Sequence, residues 1–318
     1  MLSESGPFVG QAPGKLILCG EHAVVDGHSA IAAAIPRFTT VTLRPRPGPS
    51  TLAEAPHRLV TDDPRLLPAL LTVLPAEGLE IGITSELPIG CGLGSSAALA
   101  IASLRALAAM EGRTMGFDEL HARGFAVERA FHGTPSGVDH AVSALGGVVR
   151  YRRERGGDGA TIARIEALKL EVPLSLVLVN TGTPSRTTAE MVAGVRARGC
   201  AKELAAIGVI VEGVARHLGG DGDVTAIGRL LDANHTLLQA IGVSTPALDR
   251  ACAVMRSAGA LGAKLAGAGG GGVAFGLCAP WSHETILASV RDAGFSATDS
   301  FLCTVGHVST AGSTGAFG

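Results

Sequence analysis

Four stretches of this 318-residue sequence carry residue types and spacings that could do chemistry. The first is Pro88-Ile89-Gly90-Cys91-Gly92-Leu93-Gly94-Ser95-Ser96-Ala97. Its alternate glycines permit positive φ and leave no side chain between backbone and ligand. A helix opening at Ser95 would aim unpaired N–H groups and the positive end of its dipole at the loop. Together these make a cradle for a di- or triphosphate. The simpler alternative is a tight turn capped by Ser95 or Ser96. No G-x-x-x-x-G-K-[ST] occurs, so the ordinary P-loop mechanism is excluded.

The second stretch holds two carboxylates, Glu128 near the end of one predicted helix and Asp139 in the first turn of the next. A helix–turn–helix can bring both to one end of the fold, one for a cation and one for a substrate hydroxyl. Against this, Glu128 could pair with a surface arginine, and Ser136-x-x-Asp139 matches a capping box. The third stretch runs from Gln11 through Lys15 to Glu21 and His22. A buried Lys15 would need a negative partner, and Glu21-His22 also fits a plain surface turn. The fourth is Lys264 to Gly272, where Gly267, Gly269 and Gly272 satisfy G-x-G-x-x-G. That stretch precedes a strand instead of following one, which argues against a dinucleotide fingerprint. A backbone closing over a bulky ligand accounts for it better than a plain flexible loop.

The elements that must position these residues follow from composition and period. Residues 15–19, 38–43, 79–84, 145–151, 172–180, 272–279 and 299–305 read as strands. Helices are expected at 95–111, 118–131 (capped by Asp118), 188–199, 201–218, 223–241 and 246–258. The proline-rich 44–58 reads as a surface excursion, and 152–160 as a basic, glycine-rich connection. The absence of a strict β-α-β rhythm favours α+β over a doubly wound sheet.

Composition bounds the partners. Hydrophobic residues make up 47% and charged ones 17%, enough for a substantial core, and the net charge of −2 disfavours nucleic acid or a polybasic membrane contact. Mean hydropathy is +0.36, yet the most apolar run, Ser95 to Met110, is broken by Arg105 and too short to span a bilayer. The first ten residues lack the pattern of a signal peptide, so a soluble, cytoplasmic location is expected. The six cysteines are far apart and read as buried, reduced thiols. Only four lysines occur, at 15, 169, 202 and 264, so one within an apolar stretch stands out.

Taken together, APGKLILCGEHAVVDG (12–27), HGTPSGVDHAVSALGG (132–147) and KLAGAGGGG (264–272), with the 88–97 loop, resemble the GHMP kinases over residues 11 to about 279. Within that superfamily the segments are most similar to the mevalonate kinase branch. The resemblance implies an α+β, two-domain fold: residues 1–170 like ribosomal protein S5 domain 2, and 171–318 a ferredoxin-like domain. It implies ATP as co-substrate, bound by Ser85, by Gly90, Cys91, Gly92, Leu93, Gly94, Ser95 and Ser96, and by Gly267, Gly269 and Gly270. It implies Mg²⁺ on Ser96 and Glu128, catalytic Asp139 with Lys15 beside it, and Glu21, His22 and Thr188 on the mevalonate side. The expected reaction phosphorylates the 5-hydroxyl of mevalonate in isoprenoid biosynthesis, and a homodimer is plausible from the resemblance alone. The alternatives are a sibling kinase acting on phosphomevalonate or another small alcohol, a dinucleotide-dependent oxidoreductase, and a non-catalytic sensor. Two positions depart from the pattern, Ala266 where Thr is usual and Thr134 where Asn is frequent; neither removes an implied ligand or base.

Overall fold

The computed structural model describes residues 6–53, 63–88, 90–132, 137–155, 161–296 and 301–305. Two long strands, β1 (Phe8–Cys19) and β2 (Ser29–Pro49), pair antiparallel across a tight turn and a 3-10 segment at Ala23–Asp26. After them come β3 (Thr51–Leu52), α1 (Leu66–Leu70), β4 (Glu77–Ser85), α2 (Ser95–Met110), α3 (Phe117–His132), α4 (Val138–Leu145), β5 (Val148–Arg155) and β6 (Thr161–Leu168). The strands make one sheet in the order β3-β4-β2-β5-β6, with β1 also on β2. The second half gives β7 (Leu174–Asn180), α5 (Thr188–Arg198), α6 (Ala201–Gly219), α7 (Val224–Ala240), α8 (Pro246–Ser257), β8 (Gly262–Leu265), β9 (Val273–Cys278), α9 (His283–Asp292) and β10 (Phe301–Val305). Its sheet has the order β10-β7-β9-β8 and is antiparallel throughout. The change of sheet falls between Leu168 and Leu174.

β2 corrects two expectations. It starts nine residues ahead of the expected Phe38, in an alanine run that local propensity would make helical. Small side chains are what this place needs, because Ala30, Ala32 and Ala34 pack in one apolar cluster with Val138, Ala141 and Val142 of α4. β2 also continues through Pro45 to Pro49, so the expected excursion at 44–58 begins later. Pro45 lies opposite Leu79 and Pro49 opposite Glu77, with the register broken between them, as prolines that cannot donate require. Residues 54–62 of that excursion lie outside the described ones. β5 likewise extends to Arg155, beyond the expected 151, and β6, β8 and α9 were not foreseen.

α2 is buried nearly all round, the pattern of a central helix. It lies so close to β1 that a Cβ on Gly10 would stand 2.1 Å from Ala102 O. Arg105, the charge that interrupts its apolar run, donates to Gln11 O at 2.7 Å and to Ala144 O at 2.8 Å, tying the helix to β1 and α4. In the second sheet the edge strand β8 is covered by α7. Asp232 accepts from Ala263 N and His235 Nδ1 from Leu265 N, so that edge offers no open ladder there. One apolar cluster runs through both sheets, from Leu16 and Leu18 of β1 to Leu176, Phe275 and Leu277 of β7 and β9.

Cys19, Cys91, Cys252 and Cys278 are buried and unbridged, and burial raises the Cys252 thiol to about 12 and that of Cys278 to about 11. Among the described residues, no helix is long and apolar enough to cross a membrane.

Candidate active site

The loop from Pro88 to Ser96 leaves β4 and enters α2. Gly90, Gly92 and Gly94 have φ of 72°, 80° and 75°, as left-handed backbone demands. A Cβ on Gly92 would meet nothing within 4 Å, so this part of the loop faces open space. α2 begins with Gly94 as its N-cap and no side-chain capping bond. The alternative of a cap by Ser95 or Ser96 is therefore not made, and the N-terminus of α2 opens onto the glycine loop. Ser96 instead turns its hydroxyl to Glu128 Oε1, 2.6 Å away.

Lys15 forms the floor. Its N–H donates to Leu93 O at 2.9 Å, and its stem lies under Gly94. The buried ammonium reaches Asp139 Oδ1 at 3.1 Å, with the Asp139 side chain 27% exposed. The negative partner required for a buried Lys15 is thus a residue of α4. α4 has Gly137 as its N-cap with no side-chain capping bond, and Ser136, the other half of the capping-box alternative, lies outside the described residues. Glu128 is buried in α3, and burial, reinforced by the nearby Asp139 charge, raises its carboxyl to about 7. Two acids and one lysine thus share a small volume beneath the loop.

The Glu21-His22 turn is buried, not a surface feature. Glu21 pairs with Lys264 of β8, and burial raises the Glu21 carboxyl. His22 Nε2 lies 2.9 Å from Ala268 O. A carbonyl oxygen only accepts, so Nε2 carries the proton, and burial lowers the ring's basicity and keeps it neutral. Nδ1 is then a bare acceptor, and it and Glu21 Oε2 have no hydrogen-bond partner. Two buried acceptors await donors.

The 264–272 stretch closes against both neighbours. A Cβ on Gly269 would stand 2.1 Å from Val243 O, and one on Gly272 3.1 Å from Cys91 O. Gly272 N donates to Gly182 O at 2.7 Å, and Ser185 N to Gly270 O at 3.3 Å. Three loops, at 90–96, 181–185 and 267–272, therefore meet. The stretch joins two antiparallel strands, β8 and β9, which is not the strand-to-helix setting of a dinucleotide fingerprint.

Residues 65–147 match the family described as GHMP kinases N terminal domain, and residues 210–294 match GHMP kinases C terminal. A mevalonate kinase of Pyrococcus horikoshii is 34% identical, covering 89% of this chain and 92% of its own length. The chain belongs to the GHMP kinases. The fold agrees: the crystal structure of L. major mevalonate kinase in complex with R-mevalonate has a TM-score of 0.82 at 30% identity, covering 95% of this chain and 96% of that one. Methanococcus jannaschii mevalonate kinase gives 0.80 at 25% identity, covering 95% and 99%. This GHMP kinase is accordingly an enzyme, a small-molecule kinase of two-domain, mixed helix and strand fold.

Within this GHMP kinase, Lys15, Asp139, Glu128 and Ser96 form one connected group, and Glu21 and His22 a second beside the glycine stretch. Ser85 stands at the end of β4, where its hydroxyl engages Thr39 Oγ1 at 2.9 Å and accepts from Leu87 N at 3.1 Å. It shapes the entry to the loop. Thr188 is exposed at the start of α5, next to Thr187, whose side chain caps that helix in a capping box with Glu190. Thr134 lies outside the described residues, and Ala266 is buried. Lys264 was visible in the sequence only as part of a glycine-rich stretch. Its scarcity and apolar flanks were the signal, but its partner lies 243 residues away.

Proposed function

We propose that this GHMP kinase transfers the γ-phosphoryl group of ATP to the 5-hydroxyl of mevalonate. The observation that carries the reading is the Lys15–Asp139 pair, 3.1 Å apart beneath a glycine loop and the N-terminus of α2. The likeness to mevalonate kinases, one of them crystallised with R-mevalonate, supports the acceptor. The hydroxyl oxygen forms a bond to the γ-phosphorus as the bond to the β–γ bridging oxygen breaks, and ADP leaves with that electron pair. Asp139 orients the hydroxyl and takes its proton. Lys15 pairs with Asp139 and stabilises charge developing on the acceptor oxygen. The α2 N–H groups bind the phosphates, so positioning and electrostatics supply most of the catalysis. His22 Nδ1 accepts a hydrogen bond from an acceptor hydroxyl.

Ser96 and Glu128 fit Mg²⁺. They offer adjacent hard oxygens, and a carboxyl raised to about 7 beside a second acid marks a place short of positive charge. When bound, Mg²⁺ supplies neutralisation of the phosphate oxygens. Among the described residues no group of three His, Cys, Asp or Glu could hold a metal. A cation that draws its remaining ligands from water and nucleotide phosphates needs no such group.

The test is a coupled ADP-release assay with Mg²⁺-ATP, comparing mevalonate, phosphomevalonate, homoserine and galactose. Release with mevalonate alone supports the reading. Release with another acceptor keeps the chemistry and overturns the substrate, and silence with all four in protein that binds ATP favours a sensor.

A further inference from the structure

The turn from Gly20 to His22 adopts a backbone that its own residues do not favour. His22 has φ 61°, the one positive φ outside glycine among the described residues. Such a conformation is strained and persists only where surrounding contacts fix it. Gly20, with φ 98°, lets the chain leave β1 directly against Ala30, where a Cβ would stand 2.5 Å from the Ala30 Cα. Beyond that point the side chains of the turn find their partners in β8 and the glycine stretch that follows it. Glu21 pairs with Lys264 of β8, and His22 donates to Ala268 O.

Lys264 is wholly buried. Besides Glu21, its ammonium donates to Leu265 O at 2.7 Å and lies 5.2 Å from the centre of the Phe275 ring. A buried ion pair is seldom the most stabilising filling for such a space, since removing both charges from water offsets their attraction. The pair does, however, fix orientation. It leaves one carboxylate oxygen of Glu21 without a partner, beside a histidine whose Nδ1 is likewise unpartnered.

We propose that Lys264 is a positioning residue for acceptor binding: by pairing with Glu21 from β8, it fixes the Glu21-His22 turn against the glycine stretch that closes the site. The proposal rests on the reading of Glu21 and His22 as the acceptor side. Lys264 has no exposed surface with which to touch a substrate, and it acts through Glu21. Because β8 leads straight into Gly267, the same strand sets both the turn and the start of the closing stretch.

The test uses Lys264→Met, which keeps the length of the side chain and removes its charge, alongside Glu21→Gln and the double variant. Each is checked for folding by thermal melting, then assayed for KM of ATP and of whichever acceptor the native enzyme uses. Lys264→Met is expected to raise the acceptor KM about tenfold and leave the ATP KM within about twofold. In the Glu21→Gln background the same substitution is expected to change the acceptor KM by less than about twofold, since its route of action is already gone. A folded Lys264→Met with unchanged acceptor KM overturns the proposal, as does an equal rise of both KM values. If the single variant does not fold, the comparison of Glu21→Gln with the double variant, both free of an unpaired carboxylate, decides by the same twofold criterion. Failure of the substrate reading would appear in the native enzyme, and failure of this inference only in the variants.

Discussion

Gly94 and Lys15 occupy adjoining space: a Cβ on Gly94 would stand 2.7 Å from Lys15 Cγ and 3.2 Å from its Cε. The loop glycine thus sets where the lysine stem runs, and so where its ammonium meets Asp139. Gly94→Ala should push the stem aside and lower kcat at least about 100-fold. Gly92→Ala meets the same backbone strain at φ 80° but open space around the new methyl. Steady-state kinetics and melting curves of the pair separate the two effects. Equal loss of activity in both would assign the effect to backbone strain alone.

Asp139→Asn keeps the size of the side chain and removes the proposed proton acceptor. Its kcat should fall by about 10²–10⁴, with ATP affinity within a few fold of native. Equilibrium nucleotide binding and single-turnover rates check this, and near-normal turnover would reduce Asp139 to a structural role.

Acid should destabilise the fold through two histidines. His140 is fully buried against His121 and Phe125, with neither ring nitrogen hydrogen-bonded, and burial holds it at about 4. His235 is also held at about 4, chiefly by burial. The unfolded chain takes up these protons near 6.5 and the folded chain does not. Stability is therefore full above pH 6.5 and declines as pH falls toward 4, by roughly 3 kcal/mol for each ring. Melting temperature against pH should show this slope, and His140→Phe should flatten it; an unchanged slope would exclude His140 as a source.

Asp232 serves the fold and not the site. It accepts from Ala263 N at 2.9 Å and pairs with Arg256 at 3.0 Å, covering the β8 edge. Asp232→Ala should cost about 1–2 kcal/mol and promote edge pairing between molecules, with both KM values unchanged. Denaturant titration and light scattering measure the two effects, and a native midpoint would show that the cap contributes nothing.

Sequence reasoning reached the glycine loop, Lys15, Glu128 and Asp139 because each advertises itself locally, by glycine spacing or by a charge beside an apolar run. The helices of the second half were legible for the same reason, their period being unambiguous from 188 to 258. What stayed hidden depends on distant partners. The alanine run of β2 reads as helix until α4 packs on it, and the prolines at 45 and 49 read as loop until β4 supplies a partner strand. Glu21 and His22 look like a surface turn because nothing near them in sequence announces Lys264 or Ala268. Thr188 shows the opposite case, a position drawn from family likeness that stands exposed at a helix start beside the capping Thr187.

The 243-residue separation between Glu21 and Lys264 also sets the order of events on the ribosome. At about 5–20 residues per second, the first half of the chain waits roughly 12–50 s for the lysine that its carboxylate will meet. During that interval β1, β2 and α2 can fold together, but the apolar cluster that Leu16 and Leu18 share with Phe275 and Leu277 of β9 is incomplete. A nascent chain stalled before β8 would therefore hold β7 and α5 to α8 without β8 or β9, an incomplete apolar core that is a natural client for chaperones and an early target for proteases.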